Sequence, residues 1–122
     1  MLPATLNLAG VRAIPKGADY SYPITRKRST GEAYDYTGWT GRMQIRQSVG
    51  STVLITLTTE NGGLVNGGSN GTWTIALTDA QTALLSWIGQ AIYDLKLTDL
   101  SGLEYIFCRG AVELYEVVTA DA

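Results

Sequence analysis

Four stretches of this chain place an apolar residue at every second position. Met43 and Ile45 alternate with Arg42, Gln44 and Arg46; Val53, Ile55 and Leu57 alternate with Thr52, Thr56 and Thr58. Trp73, Ile75 and Leu77 alternate with Thr72, Thr74 and Ala76, and Tyr93, Leu95 and Leu97 with Asp94, Lys96 and Thr98. Successive side chains of a strand point to opposite faces, so each stretch is apolar on one face only. Such strands must lay that face on another sheet. Turn chemistry separates them: Ser29-Thr30-Gly31-Glu32, the pairs Asn61-Gly62, Asn66-Gly67 and Asn70-Gly71, and Ser101-Gly102. Asn-Gly favours the positive φ angles of tight hairpins. Residues 19–25 are aromatic and β-branched, with Pro23 marking an edge strand or bulge. Residues 5–9 alternate weakly. Residues 103–118 read as one long strand or two short ones, with Gly110 at a bulge or bend. One helix interrupts the pattern. Thr78-Asp79-Ala80-Gln81 has the form of a capping box, Ala80, Ala83, Leu84 and Trp87 follow at helical spacing, and Gly89 stops the run, predicting a helix over 79–88. The expected fold is an all-β antiparallel sandwich, immunoglobulin-like or related, of about seven strands with that one short helix.

At 122 residues the chain is long enough for one domain with one core. Residues 14–122 form that domain, and residues 1–13 are either its first strand or an arm reaching a neighbour. Charged residues are 16% of the chain against an average of about 25%, and hydrophobic residues 45%, which excludes disorder. There is no histidine, the commonest general base and metal ligand. Cys108 is the only cysteine, in an apolar stretch, and is most simply a small buried residue. Ser86 lacks the Gly-x-Ser-x-Gly context of a nucleophile elbow. Asp94, Asp99 and Glu104 fall at outward strand and turn positions rather than as a glycosidase pair. The glycine-rich run over 62–71 lacks the Gly-Lys-Ser/Thr ending of a phosphate cradle and reads as a hairpin loop. No catalytic, cofactor or metal site is expected, and the chain does not read as an enzyme. No apolar run approaches the length of a membrane helix, and the start resembles no signal peptide.

Residues 1–61 carry seven Lys/Arg against four Asp/Glu, and residues 62–122 two against seven. Because strands from both halves interleave in a sandwich, this asymmetry does not by itself make a two-faced molecule. Arg26-Lys27-Arg28 stands alone in a chain of net charge −2, which suits a solvated hairpin end better than a nucleic-acid surface. Trp73 and Trp87 fall on predicted inward faces. Trp39, between turn and strand, is the aromatic whose burial the pattern does not decide. Trp39, Tyr34 and Tyr36, with Arg26, Lys27 and Arg28, are the candidate interface or glycan-contact residues. Tyr20 and Tyr22 are further interface candidates.

The order of these features resembles a known architecture. Ile14-Pro15-Lys16-Gly17-Ala18-Asp19-Tyr20 leads into a strand. Asp35-Tyr36-Thr37-Gly38-Trp39, running into Arg42-Met43-Gln44-Ile45-Arg46, is similar to a turn with Asp-Leu-Thr-Gly before a strand ending in Arg, with Tyr36 in place of the leucine. Trp73-Thr74-Ile75-Ala76-Leu77-Thr78 with Asp79-Ala80-Gln81 resembles a step of strand, Leu-Thr and short helix; Tyr93-Asp94-Leu95 resembles the strand that follows, and Arg109-Gly110-Ala111-Val112-Glu113-Leu114 through Val118-Thr119 the closing one. Together, over residues 14–119, they resemble the N-terminal β-sandwich domain of phage baseplate upper proteins. The resemblance implies a tailed-phage virion protein without catalytic activity, made in the host cytoplasm. It would act in the tail, baseplate or fibre attachment, self-associate as a ring or trimer and dock other virion proteins, with no nucleic acid or membrane as partner. A head-decoration or head–tail connector protein uses the same kind of domain. A carbohydrate-binding module built on Trp39 and the tyrosines is the reading of a different class.

Overall fold

The alternating stretches are strands. The computed structural model describes residues 4–87 and 90–116. The strands are β1 (Ala4–Thr5), β2 (Ile14–Lys16), β3 (Tyr20–Thr25), β4 (Thr40–Arg46), β5 (Val53–Thr58), β6 (Leu64–Asn66), β7 (Thr72–Leu77), β8 (Gln90–Thr98) and β9 (Glu104–Glu116). One sheet runs in the order β1-β9-β8-β4-β5, with β2 also paired to β9; the other is β3-β7-β6. Pairing is antiparallel throughout except that β1 and β2 both run parallel to β9. The antiparallel sandwich therefore carries a parallel margin, which the local alternation of residues 5–9 does not reveal.

The apolar faces meet between the sheets. Met43, Ile45, Leu57, Tyr93, Leu95 and Leu97 from the larger sheet pack in one core with Leu64, Trp73, Ile75 and Leu77 from the smaller. Burying each aliphatic side chain contributes about 1.5–3 kcal/mol. Trp73 and Trp87 both lie in this core, as does Cys108. Residues 4–8 lie along β9: the Leu6 and Leu8 amides donate to the Arg109 and Ala111 carbonyls at 2.8 Å, and Leu8 is fully buried.

Several details depart from the expected pattern. The helix, α1, spans only Asp79–Ala83. Its capping box forms: the Thr78 hydroxyl accepts from the Gln81 amide, and Gln81 Oε1 accepts from the Thr78 amide. The inward face, however, is set by Thr82, whose hydroxyl accepts from the Gly17 amide at 3.0 Å and donates to the Ala18 carbonyl at 2.8 Å. Ala80, Ala83 and Leu84 are consequently exposed, and residues 85–87 continue without helical structure. Gly89, the expected stop, lies outside the described residues. The last strand is one long element, and its bulge is not at Gly110. The register passes from Leu95↔Cys108 to Lys96↔Ile106, so Phe107 is the extra residue. Phe107 and Cys108 are both buried as a result. Gly110 answers a different need, a close approach: a Cβ there would collide with the Leu6 carbonyl oxygen. The glycine-rich run is not all loop, since β6 lies within it and pairs with β7. Of its Asn-Gly pairs, Gly62 and Gly71 take positive φ (80° and 70°), but the asparagines do not.

Candidate interaction surfaces

The candidate residues of the 26–39 segment converge, but as one packed ladder rather than an open platform. The Asp35 carboxylate accepts from the Thr37 amide at 3.0 Å and its hydroxyl at 2.6 Å, and the Trp39 amide donates to the Tyr36 carbonyl at 2.9 Å. This turn sends Tyr36 inward, where its ring meets Trp39 at 5.0 Å, Trp73 at 5.9 Å and Phe107 at 5.9 Å. Tyr36 is 1% exposed and is a core residue, not a contact residue. Desolvation raises its hydroxyl pKa, and among the described residues the buried Tyr36 hydroxyl has no hydrogen-bond partner. Asn66 fastens the turn, its Nδ2 donating to the Tyr36 carbonyl at 2.7 Å and the Trp39 carbonyl at 3.0 Å.

Trp39 is half-buried. One ring face stacks on Tyr105 at 5.7 Å, and the ring meets Tyr36 edge-on. Tyr34, also half-buried, stacks on Tyr36 at 6.1 Å, and the Arg28 guanidinium lies 4.7 Å from the Tyr34 ring centre. Arg26 donates from Nη2 to the Phe107 carbonyl at 2.9 Å and lies 4.6 Å over the Phe107 ring. The basic triplet is thus not simply a solvated hairpin end. Arg26 ties the hairpin to β9, Arg28 covers Tyr34, and Lys27 is exposed. The tip itself is a hairpin, with Arg28 and Glu32 hydrogen-bonded across it at 2.7 Å. Tyr20 is buried and donates to the Arg12 carbonyl at 2.6 Å; burial pushes its hydroxyl pKa far up, as it does that of Tyr93. Tyr22 is half-buried beside Tyr20.

The carboxylates at the turns serve the backbone. Asp99 accepts from the Ser101 hydroxyl (2.7 Å), the Ser101 and Leu103 amides (2.9 Å each) and the Tyr105 hydroxyl (3.1 Å). These bonds, the Ser101 hydroxyl foremost, hold its pKa below the usual carboxylate range. Among the described residues no three His, Cys, Asp or Glu side chains are grouped to hold a metal ion, and no helix is long and apolar enough to cross a membrane.

Sequence reasoning missed the outer face of the larger sheet. Arg42, Gln44 and Arg46 on β4 stand beside Asp94 and Lys96 on β8 and Arg109 on β9. Two adjoining concavities of about 410 and 460 Å³ lie on this face and share Gln44 and Asp94. Lys96 pairs with Glu104 at 3.1 Å, the one ion pair among the described residues. Both partners are exposed, so the pair is worth at most about 1 kcal/mol. Cations and anions of both halves of the chain interleave on this face. The signal was available in the sequence, as the polar phase of each alternating strand.

No protein-family model matches the chain, and no curated protein matches it. Among solved structures the chain is similar to "Drosophila OTK, extracellular domains 3-5", at 14% identity and a TM-score of 0.32, over 93% of this chain and 33% of that one. The chain spans about a third of the length of that structure. At that score the description of the fold rests on the strand pairing itself.

Proposed function

We propose that this domain is a non-enzymatic structural protein of a tailed-phage virion, placed in the tail, baseplate or fibre attachment and working by docking. The observation that carries the reading is the order of the motifs that resemble baseplate upper proteins. Three of them fall on elements that build the sandwich. The Asp35-to-Trp39 turn delivers β4, the Leu77-Thr78 step delivers the capped helix, and Tyr93-Asp94-Leu95 forms the middle of β8. These positions build the fold, as a resemblance between structural domains requires, and Asp94 also lies on the outer polar face. The polar face around Gln44 and Asp94 supplies a docking surface of the mixed-charge kind that sets specificity between proteins. Self-association as a ring or trimer belongs to the same proposal.

Quantitative mass spectrometry of purified particles from the phage or induced lysogen that encodes the chain tests it. A copy number at a small multiple of the tail symmetry supports the tail assignment. Hundreds of copies per particle would move the protein to the head surface, and clean absence from particles would overturn the virion reading.

A further inference from the structure

The larger sheet ends at β5, and β5 is a strand made for pairing. Val53-Leu54-Ile55-Thr56-Leu57-Thr58 contains no charge, no proline and no glycine. The Thr59 amide donates to the Gly41 carbonyl on β4 at 3.2 Å, so the backbones of Leu57 and Ile55 face β4, and those of Thr56 and Thr58 face the open side; beyond Ile55 the register shifts, and Leu54 is the extra residue of a bulge. Among the described residues, Asn61 occupies that side. Asn61 Oδ1 accepts from the Thr58 amide at 2.9 Å and from the Gly63 amide at 2.9 Å, while Nδ2 donates to the Thr56 carbonyl at 3.0 Å. The Asn61 side chain thus offers one acceptor and one donor where a neighbouring strand would offer a peptide.

The other edges are closed differently. Pro23 removes a donor from the outer side of β3, β6 has only three residues, and β9 carries β1 and β2 on its flank, with Arg26 on the Phe107 carbonyl. Among the described residues, only β5 is a long edge held shut by a single side-chain amide.

We infer that Asn61 guards a latent strand-addition site on β5, and that its occupant is β5 of a second copy, paired antiparallel. The self-pairing follows from composition: a six-residue, uncharged, β-branched segment is the kind that pairs best with an identical one, having no like charges to repel it. Main-chain bonds from Thr56 and Thr58 would join the two sheets into one. The guarded edge exists whether or not the protein belongs to a virion.

Sedimentation velocity of the full chain, at matched concentrations, tests this. Asn61→Ala is expected to raise the average mass toward twice that of the wild type. Asn61→Ser, which keeps an acceptor for the Thr58 amide but releases the Thr56 carbonyl, is expected to give a smaller rise with the hairpin intact. Adding Leu54→Lys, a charge on the same edge, is expected to return either variant to the wild-type mass. A thermal melt establishes that each variant is folded. Folded Asn61 variants with unchanged mass would overturn the inference, and so would a rise that Leu54→Lys leaves in place, because the contact would then lie elsewhere.

Discussion

At Gly110, β9 carries no Cβ because β1 and the segment after it press against it. An alanine there collides with the Leu6 carbonyl, which is backbone and cannot rotate away. Gly110→Ala is therefore expected to release the N-terminal segment from β9 selectively. Hydrogen exchange at the Leu6 and Leu8 amides should rise many-fold, with β4 and β8 still protected; equal exchange in both proteins would refute the packing account. Asp99 shows the same economy in polar form, with one carboxylate closing the β8–β9 turn through four hydrogen bonds. Its folded pKa lies below the unfolded one, so its contribution is present above about pH 4 and is lost as the pH falls through the folded value. The wild type should melt at a higher temperature than Asp99→Asn near neutrality, and the gap should narrow as the pH falls below 4. A gap independent of pH would show that the charge is not what closes the turn.

At the scale of elements, what could be read in the sequence was what a strand writes into its own few residues. The in-and-out phases of β4, β7 and β8, the capping box at Thr78 and the edge position of Pro23 are local properties, and the fold has them; β5 keeps its phase only from Ile55 to Thr58, because a register shift at Leu54 sets Val53 opposite Arg46. The missed features were decided by distant partners. Thr82 turns α1 through bonds to Gly17 and Ala18, more than sixty positions away. Tyr36 is closed in by the distant Trp73 and Phe107 as well as by Trp39 and Tyr34, so a tyrosine in a turn was misread as a contact residue. β6 is too short to show a period, and β2 buries Ile14 and Pro15 in succession. Asn66 belongs with these: its side chain links β6 to the turn that positions Tyr36 and Trp39. Asn66→Ala removes the donor to two carbonyls and should cost about 1–3 kcal/mol. The expected signature is a lower melting temperature together with altered tryptophan fluorescence, because Trp39 sits on the released turn. A variant as stable as the wild type would mean that water serves those carbonyls equally well.

For the whole molecule, the open question in the sequence was whether residues 1–13 are an arm or part of the domain, and β9 bears directly on it. The long strand β9 bonds β8 on one side and β1 and β2 on the other, so the segment before β2 is built into the margin of the larger sheet. Leu8 and Ile14 are fully buried, and the Glu113 amide donates to the Leu8 carbonyl at 2.8 Å. An expendable arm would leave the core intact when removed. Deleting residues 1–10 instead withdraws Leu8 from a packed site, where truncating one leucine to alanine alone costs about 2–5 kcal/mol. It also uncovers backbone groups of β9 that the Leu6 and Leu8 segment now pairs. Against the 5–15 kcal/mol that holds a typical domain folded, that loss is large. The truncated chain is expected to melt well below the full one and to aggregate through the bared strand, as measured by thermal denaturation with light scattering. A truncated protein with an unchanged melt would return residues 1–10 to the status of an arm, free to reach a neighbouring subunit.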